Sequence, residues 1–221
     1  MDRGLAELWT LSITEDAVTR ASSLLDEAEQ CRASRFLAEA PRAAFVATRG
    51  ALRQLCATYL NADPKQLHFA VNEHGKPFLP GSGLEFNVSH SGKVAVLGFA
   101  WQQPIGVDVE RTGRKGDIRR IASRFFHPGE TAAIEAAADP VQAFYRCWTG
   151  KEAYVKAVGL GLSLGLDTFR VAVEGEACVT GDTSWSLYSW APAAGYMATA
   201  AVHGPVAFFQ RGDDIFTGSS T

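Results

Sequence analysis

The stretch PIGVDVE, residues 104–110, combines a strand pattern with a pair of carboxylates. Ile105, Val107 and Val109 are β-branched and alternate with Gly106, Asp108 and Glu110, which predicts a strand. Side chains two apart on a strand leave the same face, so both carboxylates point one way. Like charges on an apolar strand are costly unless something positive neutralises them. Farther on, KEAYVK (residues 151–156) sets Glu152 and Lys156 four apart on one helical face. As an isolated exposed pair these two would contribute only about 0.2–0.5 kcal/mol. Three carboxylates and an ammonium meeting at one point would instead hold a divalent hard cation and a phosphate together.

The segment carrying Glu152 has well-marked ends. Asp139 is a natural N-cap, Pro140 suits the first helical position and Gly159 suits a left-handed stop, which predicts a helix over 140–158. Phe144, Trp148, Glu152 and then Val155 or Lys156 descend one stripe at three- and four-residue steps. The aromatic members read as core. A carboxylate continuing that stripe calls for a partner, which a cation shared with Asp108 and Glu110 would supply. Gly150, inside this helix, costs about 1 kcal/mol relative to alanine.

Outward from these two segments, Leu5 to Ile13 reads as a strand, and Thr14 caps a helix with Glu15 and Asp16 in its first turn. Residues 32–60 read as helical, divided in two by Pro41. Short strands are expected at 67–71, 85–88 and 93–101, with loops at 74–77 and 89–92. The Ser89-His90-Ser91-Gly92 segment reads either as an Asx/Ser turn or as an anion cradle. Gln102-Gln103-Pro104 is the best internal boundary, giving expected lobes of 1–103 and 104–221. The second half repeats the first in outline: a strand at 105–110, helices near 117–125, 128–137 and 140–158, and strands near 168–174, 185–190 and 196–203.

With 221 residues, 47% of them apolar, the chain can bury a substantial core. A net charge of −3 gives no global basic field, so nucleic acid is not an expected partner. Cys31, Cys56, Cys147 and Cys178 lie far apart without metal-binding spacing and read as buried thiols of a reduced, cytoplasmic protein. No apolar run is long enough to suggest a membrane span.

Five motifs occur in order: GKPFLP (75–80), FNVSHSG (86–92), PIGVDVE (104–110), RFFHPGE (124–130) and FYRCWTGKEAYVKAVGLGLSL (144–164). Together with Trp190, Pro192, Gly195 and Tyr196 they resemble the 4′-phosphopantetheinyl transferase superfamily, in particular its larger, surfactin-synthetase-activating type. The resemblance covers roughly residues 30–203. It implies an α+β fold of two similar lobes in pseudo-twofold arrangement, with a coenzyme cleft between them. The implied activity is magnesium-dependent transfer of the 4′-phosphopantetheine arm of coenzyme A to a serine of an acyl, aryl or peptidyl carrier protein, releasing adenosine 3′,5′-bisphosphate. It further implies magnesium at Asp108, Glu110 and Glu152, and catalysis by Glu152 and Lys156. Coenzyme contacts are implied for Arg32, Lys76, Pro77, Ser89, His90, Asp108 and Lys156, with Arg42, Arg49 and Arg53 as rivals to Arg32 for the 3′-phosphate. The segment from Arg111 to Glu130, with Arg114, Lys115, Arg119, Arg120 and Arg124, is the expected carrier docking surface. One of Phe125 and Phe126 is its apolar anchor. A monomer is expected. Gly150 departs from the pattern, relatives usually carrying a larger residue there.

Overall fold

The computed structural model describes residues 4–113, 117–159, 161, 164–212 and 214–216. In chain order its elements are β1 (Leu5–Ser12), α1 (Glu15–Ser22), α2 (Glu27–Ser34), α3 (Glu39–Leu60), β2 (Ala70–Val71), β3 (Pro77–Phe78), β4 (Leu84–Ser91) and β5 (Val94–Trp101). There follow β6 (Ile105–Arg111), α4 (Ile118–Phe125), α5 (Pro128–Ala136), α6 (Pro140–Val158), β7 (Trp185–Trp190), β8 (Tyr196–His203) and β9 (Ala207–Arg211). The class is α+β, as the motifs imply.

Strand β5, VAVLGFAW, has no polar side chain and is buried along nearly its whole length, so it belongs between two layers. One face carries Ala95, Leu97 and Phe99 into a core shared with Ala51, Leu52 and Leu55 of α3. The other carries Val94 and Val96 against Val107 and Val109 of β6. Two sheets therefore stack. The first has the order β4-β5-β1-β9 and is backed by α3; the second has the order β6-β8-β7 and is backed by α6. Gly98 permits the close stacking, since a Cβ there would stand 2.6 Å from the Val107 side chain.

Helix α6 has the ends its sequence foretells. The Asp139 side chain accepts from the Val141 and Gln142 amides at 3.1 and 3.0 Å, and Gly159 closes the helix at φ 80°. Gly150 is buried within α6, and a Cβ there would meet the Val171 side chain at an ordinary 3.5 Å. Gly150→Ala is accordingly expected to stabilise the protein by about 0.5–1 kcal/mol. A higher urea midpoint with unchanged m-value would register it; a fall would mean that Val171 cannot accommodate the methyl.

Several local expectations need correction. Pro41 does not divide the early helices, because it lies in the first turn of α3, where its missing N–H has no intrahelical acceptor to lose. The break comes earlier, between Ser34 and Glu39. The strand expected at 67–71 shrinks to Ala70–Val71, since Arg53 occupies the Leu67 carbonyl at 3.1 Å. The segment at 168–174 forms only one bridge, Val171 to Val179, the Val171 amide being donated to Glu130 Oε1 at 2.7 Å. Residues 207–211, assigned above to the second lobe, form β9 in the first sheet, parallel to β1. Cys56 and Cys147 are buried, but Cys31 and Cys178 are exposed, and all four are free thiols. Among the described residues no helix is long and apolar enough to cross a membrane.

Candidate active site

Strand β6 and helix α6 touch because Gly106 lets them. A Cβ at Gly106 would stand 2.1 Å from the Ala153 carbonyl oxygen and 2.4 Å from the Ala157 amide nitrogen, so only glycine fits. This contact brings the two sequence pairs together. Lys156 Nζ lies 2.6 Å from Asp108 Oδ1 and 3.1 Å from Ser89 Oγ, and Ser89 donates to the same carboxylate oxygen at 2.9 Å. Asp108 is buried, 5% exposed, and among the described residues its second oxygen Oδ2 has no hydrogen-bond partner. Glu110 Oε2 accepts from Ser91 Oγ at 2.9 Å. Burial, then the Asp108 carboxylate and more weakly Glu110, push the Glu152 carboxyl above its usual range, against the pull of Lys156. All four groups thus lie within electrostatic reach of one another. Among the described residues, no three His, Cys, Asp or Glu side chains are arranged as a preformed metal cage.

Two cavities flank this row of charge. One, of about 230 Å³, is lined by Lys76, Pro77, Asn87, Lys156 and Gly159 among others. The second, about 560 Å³, is lined by Arg32, Phe36, Phe45, His90, Ser91 and Glu110 among others. Lys76 spends two of its donors on the carbonyls of Ile105 and Lys156, at 2.9 and 3.0 Å. Burial holds its ammonium below the ordinary lysine range. It therefore ties the 72–77 turn to both β6 and α6 while its stem walls the smaller cavity.

The four early arginines separate by their surroundings. Arg53 is fully buried, bonded to Glu29 Oε2 at 2.6 Å and to Asp26, with the Pro64 and Leu67 carbonyls completing its shell. Arg49 pairs with Glu29 and lies over the Phe69 ring. Arg42 pairs with Glu39 at the surface. Arg32 is the member that lines the larger cavity, its guanidinium 4.9 Å from the Phe45 ring centroid.

The Ser89–Ser91 segment is neither a turn nor a cradle of loop amides. It is the end of strand β4, with the reversal confined to Gly92 and Lys93. Ser89 and Ser91 turn toward β6 and its carboxylates, and His90 stays exposed beside the larger cavity. In the expected docking segment, Phe126 is in the core and Phe125 is 41% exposed, with the Arg124 guanidinium over its ring. Arg119 and Arg120 are exposed, whereas Arg114 and Lys115 lie outside the described residues.

One arrangement was not anticipated from sequence. Lys151, next to Glu152, is fully buried and donates to Glu130 Oε2 at 2.8 Å and to the Leu166 and Phe169 carbonyls at 2.7 Å each. Glu130 also accepts the His127 amide at 3.0 Å, closing a capping box on α5. The spacing of His127 and Glu130 ahead of an apolar run is the sequence signal for that box; nothing local points to Lys151.

Known proteins resemble this chain in both halves. Residues 104–201 match the model of the 4′-phosphopantetheinyl transferase superfamily, and residues 9–101 match that of the N-terminal part of 4′-phosphopantetheinyl transferases. The chain therefore belongs to the 4′-phosphopantetheinyl transferase superfamily and is an enzyme of that class. The transferase HetI of Nostoc sp. is 33% identical over 207 residues, covering 89% of this chain and 87% of the relative. The transferase Sfp of Bacillus subtilis is 36% identical over 132 residues, 58% of each chain. The L-aminoadipate-semialdehyde dehydrogenase-phosphopantetheinyl transferase of Xenopus laevis is 30% identical over 159 residues, 66% of this chain and 53% of the relative.

Proposed function

We propose that this chain transfers the 4′-phosphopantetheine arm of coenzyme A to a serine hydroxyl of an apo acyl, aryl or peptidyl carrier protein, with magnesium, and releases adenosine 3′,5′-bisphosphate. The observation that carries the reading is the convergence of Asp108, Glu110, Glu152 and Lys156 between two cavities. The residues fit a magnesium ion. Among the described residues Asp108 Oδ2 is buried without a hydrogen-bond partner, and Asp108, Glu110 and Glu152 bring hard oxygen donors within electrostatic reach of one another. Asp108, Glu110 and Glu152 would hold it. When bound, it neutralises charge on the pyrophosphate oxygens of the coenzyme.

The chain's own groups do the rest. Lys156, with two donors spent on Asp108 and Ser89, has a third for a pyrophosphate oxygen, where charge builds as the serine attacks the β-phosphorus. Glu152 takes the serine proton, directly or through a bound water. Lys76 and Pro77 wall the coenzyme in the smaller cavity, and Ser89 orients Asp108. His90 and Arg32 supply imidazole and guanidinium in the larger one, suited to the 3′-phosphate. The exposed Arg111, Arg119, Arg120 and Arg124, with Phe125, give an acidic carrier protein a basic and apolar landing surface beside Glu110. We further read the chain as two lobes dividing at residue 103, with β9 returning to the first, acting as a cytoplasmic monomer on protein and coenzyme alone, without nucleic acid or membrane.

The test is the Asp108→Ala variant, incubated with coenzyme A, magnesium and a panel of apo carrier proteins, with the added arm followed by mass spectrometry. Removing the half-paired carboxylate is expected to lower turnover more than about a hundredfold while the fold survives. Near-normal turnover in magnesium would overturn the metal assignment. No modified carrier with the unaltered protein, across the panel, would overturn the activity.

A further inference from the structure

Strands β4 and β6 lie side by side but belong to different sheets among the described residues. Along that seam, side chains of one strand meet main-chain amides of the other. The Val107 amide donates to Asn87 Oδ1 at 2.9 Å, the Val109 amide to Ser89 Oγ at 3.4 Å and the Arg111 amide to Ser91 Oγ at 3.1 Å. The offset is 20 residues at every rung, so alternate positions of β4 serve alternate positions of β6, as the twofold periodicity of two strands running in parallel requires. Asn87 and Ser91 are 7% and 4% exposed, so the rungs are shielded from water.

The serine rungs continue past the amides. A hydroxyl has one proton to give and lone pairs to receive with. Ser89 Oγ and Ser91 Oγ each receive an amide N–H, which leaves the proton for a carboxylate: Asp108 Oδ1 at 2.9 Å and Glu110 Oε2 at 2.9 Å. Each rung therefore has a fixed direction, amide to hydroxyl to carboxylate. Each carboxylate thus receives a proton from the strand next door.

We propose that Ser91 is a positioning residue for Glu110, and that the Asn87–Ser89–Ser91 ladder passes the register of the first sheet to the carboxylates of the second. This rests on the reading of Glu110 as a magnesium ligand. Ser91 acts through Glu110 by pinning one oxygen of its carboxylate. Outer partners of this kind typically contribute about 10–100-fold in metal affinity or activity.

The experiment reads metal binding directly as well as turnover. Manganese binding is measured by electron paramagnetic resonance with coenzyme A present and carrier protein absent, alongside the magnesium concentration for half-maximal transfer. Ser91→Ala is expected to weaken both by about tenfold or more, with the Michaelis constant for coenzyme A at saturating magnesium little changed. Ser91→Thr, which keeps the hydroxyl, is expected to stay within about twofold of the unaltered protein on the same logic. In a Glu110→Ala background, Ser91→Ala is expected to add nothing, because the two act as one unit. If Ser91→Ala does not fold, Ser91→Cys, nearly isosteric with a weak donor, takes its place in each comparison. An additive loss in the Glu110→Ala background, or unchanged manganese affinity in folded Ser91→Ala and Ser91→Cys, would overturn the proposal. Asp108→Ala run in parallel separates the two levels. If it keeps full manganese affinity, the metal reading itself fails; if it loses affinity while the Ser91 variants do not, only the ladder's role fails.

Discussion

Gly106→Ala is expected to reduce transfer by at least about a hundredfold, although the residue carries no functional group. Its added methyl would sit 2.1 Å from the Ala153 carbonyl oxygen and 2.4 Å from the Ala157 nitrogen, both helix backbone, which cannot rotate aside. Helix α6 must move off β6 by an ångström or so, and it takes Glu152 and Lys156 with it. The 2.6 Å contact of Lys156 with Asp108 then lengthens, and a misplacement of that size typically costs about two orders of magnitude in rate. Overpacking of this kind also destabilises by about 1–3 kcal/mol. Single-turnover transfer measured beside urea unfolding would show both effects. A variant with native turnover would mean that the strand–helix contact does not set the site.

Lys151→Met should destabilise the protein by about 3–5 kcal/mol, because it leaves the Glu130 carboxylate buried without its cation. Against a typical total of about 5–15 kcal/mol, that is a large loss. The double variant Lys151→Met with Glu130→Gln should lose less than Lys151→Met alone, since the orphaned charge is gone. Glutamine's one carbonyl oxygen can keep either the His127 or the Val171 amide, which the two carboxylate oxygens receive separately, so part of the loss is expected to remain. Equal losses for the single and double variants in urea unfolding would show that packing, and not charge, governs this site.

What could be read in the sequence followed the range of the interactions involved. Helix α6 was legible to the residue because Asp139, Pro140 and Gly159 act within a turn of the backbone they terminate. Asp108 with Glu110, and Glu152 with Lys156, were legible as pairs because strand and helix periodicities are local. Their meeting was expected from charge balance and the family resemblance and not from any local pattern, since it depends on Gly106 admitting a helix roughly 50 residues farther along the chain. FNVSHSG misled because its serines and asparagine resemble a turn by composition. Their hydrogen bonds instead run to a strand 20 residues later, so they continue β4. The expected strand near 170 failed for a related reason: the Val171 amide is taken by a side chain 41 residues earlier. Strand β9, short and largely exposed, has no strong pattern of its own; its partner β1 lies some 200 residues away.

The position of β9 bears on how the protein is made. Leu5 to Trp9 pair with Ala207 to Arg211, and Ile215 closes the core beneath α3. Every other strand of the first sheet has been synthesised by Trp101. Roughly 100 residues must then leave the ribosome before the last strand arrives, a delay of about 5–20 s at ordinary elongation rates. Through that interval β1 presents an unpaired edge, the part of a nascent sheet most prone to pair with a neighbouring chain. The sheet begun first is thus completed last, and a chain released short of residue 207 would carry the motifs of both halves on a sheet left open at one side.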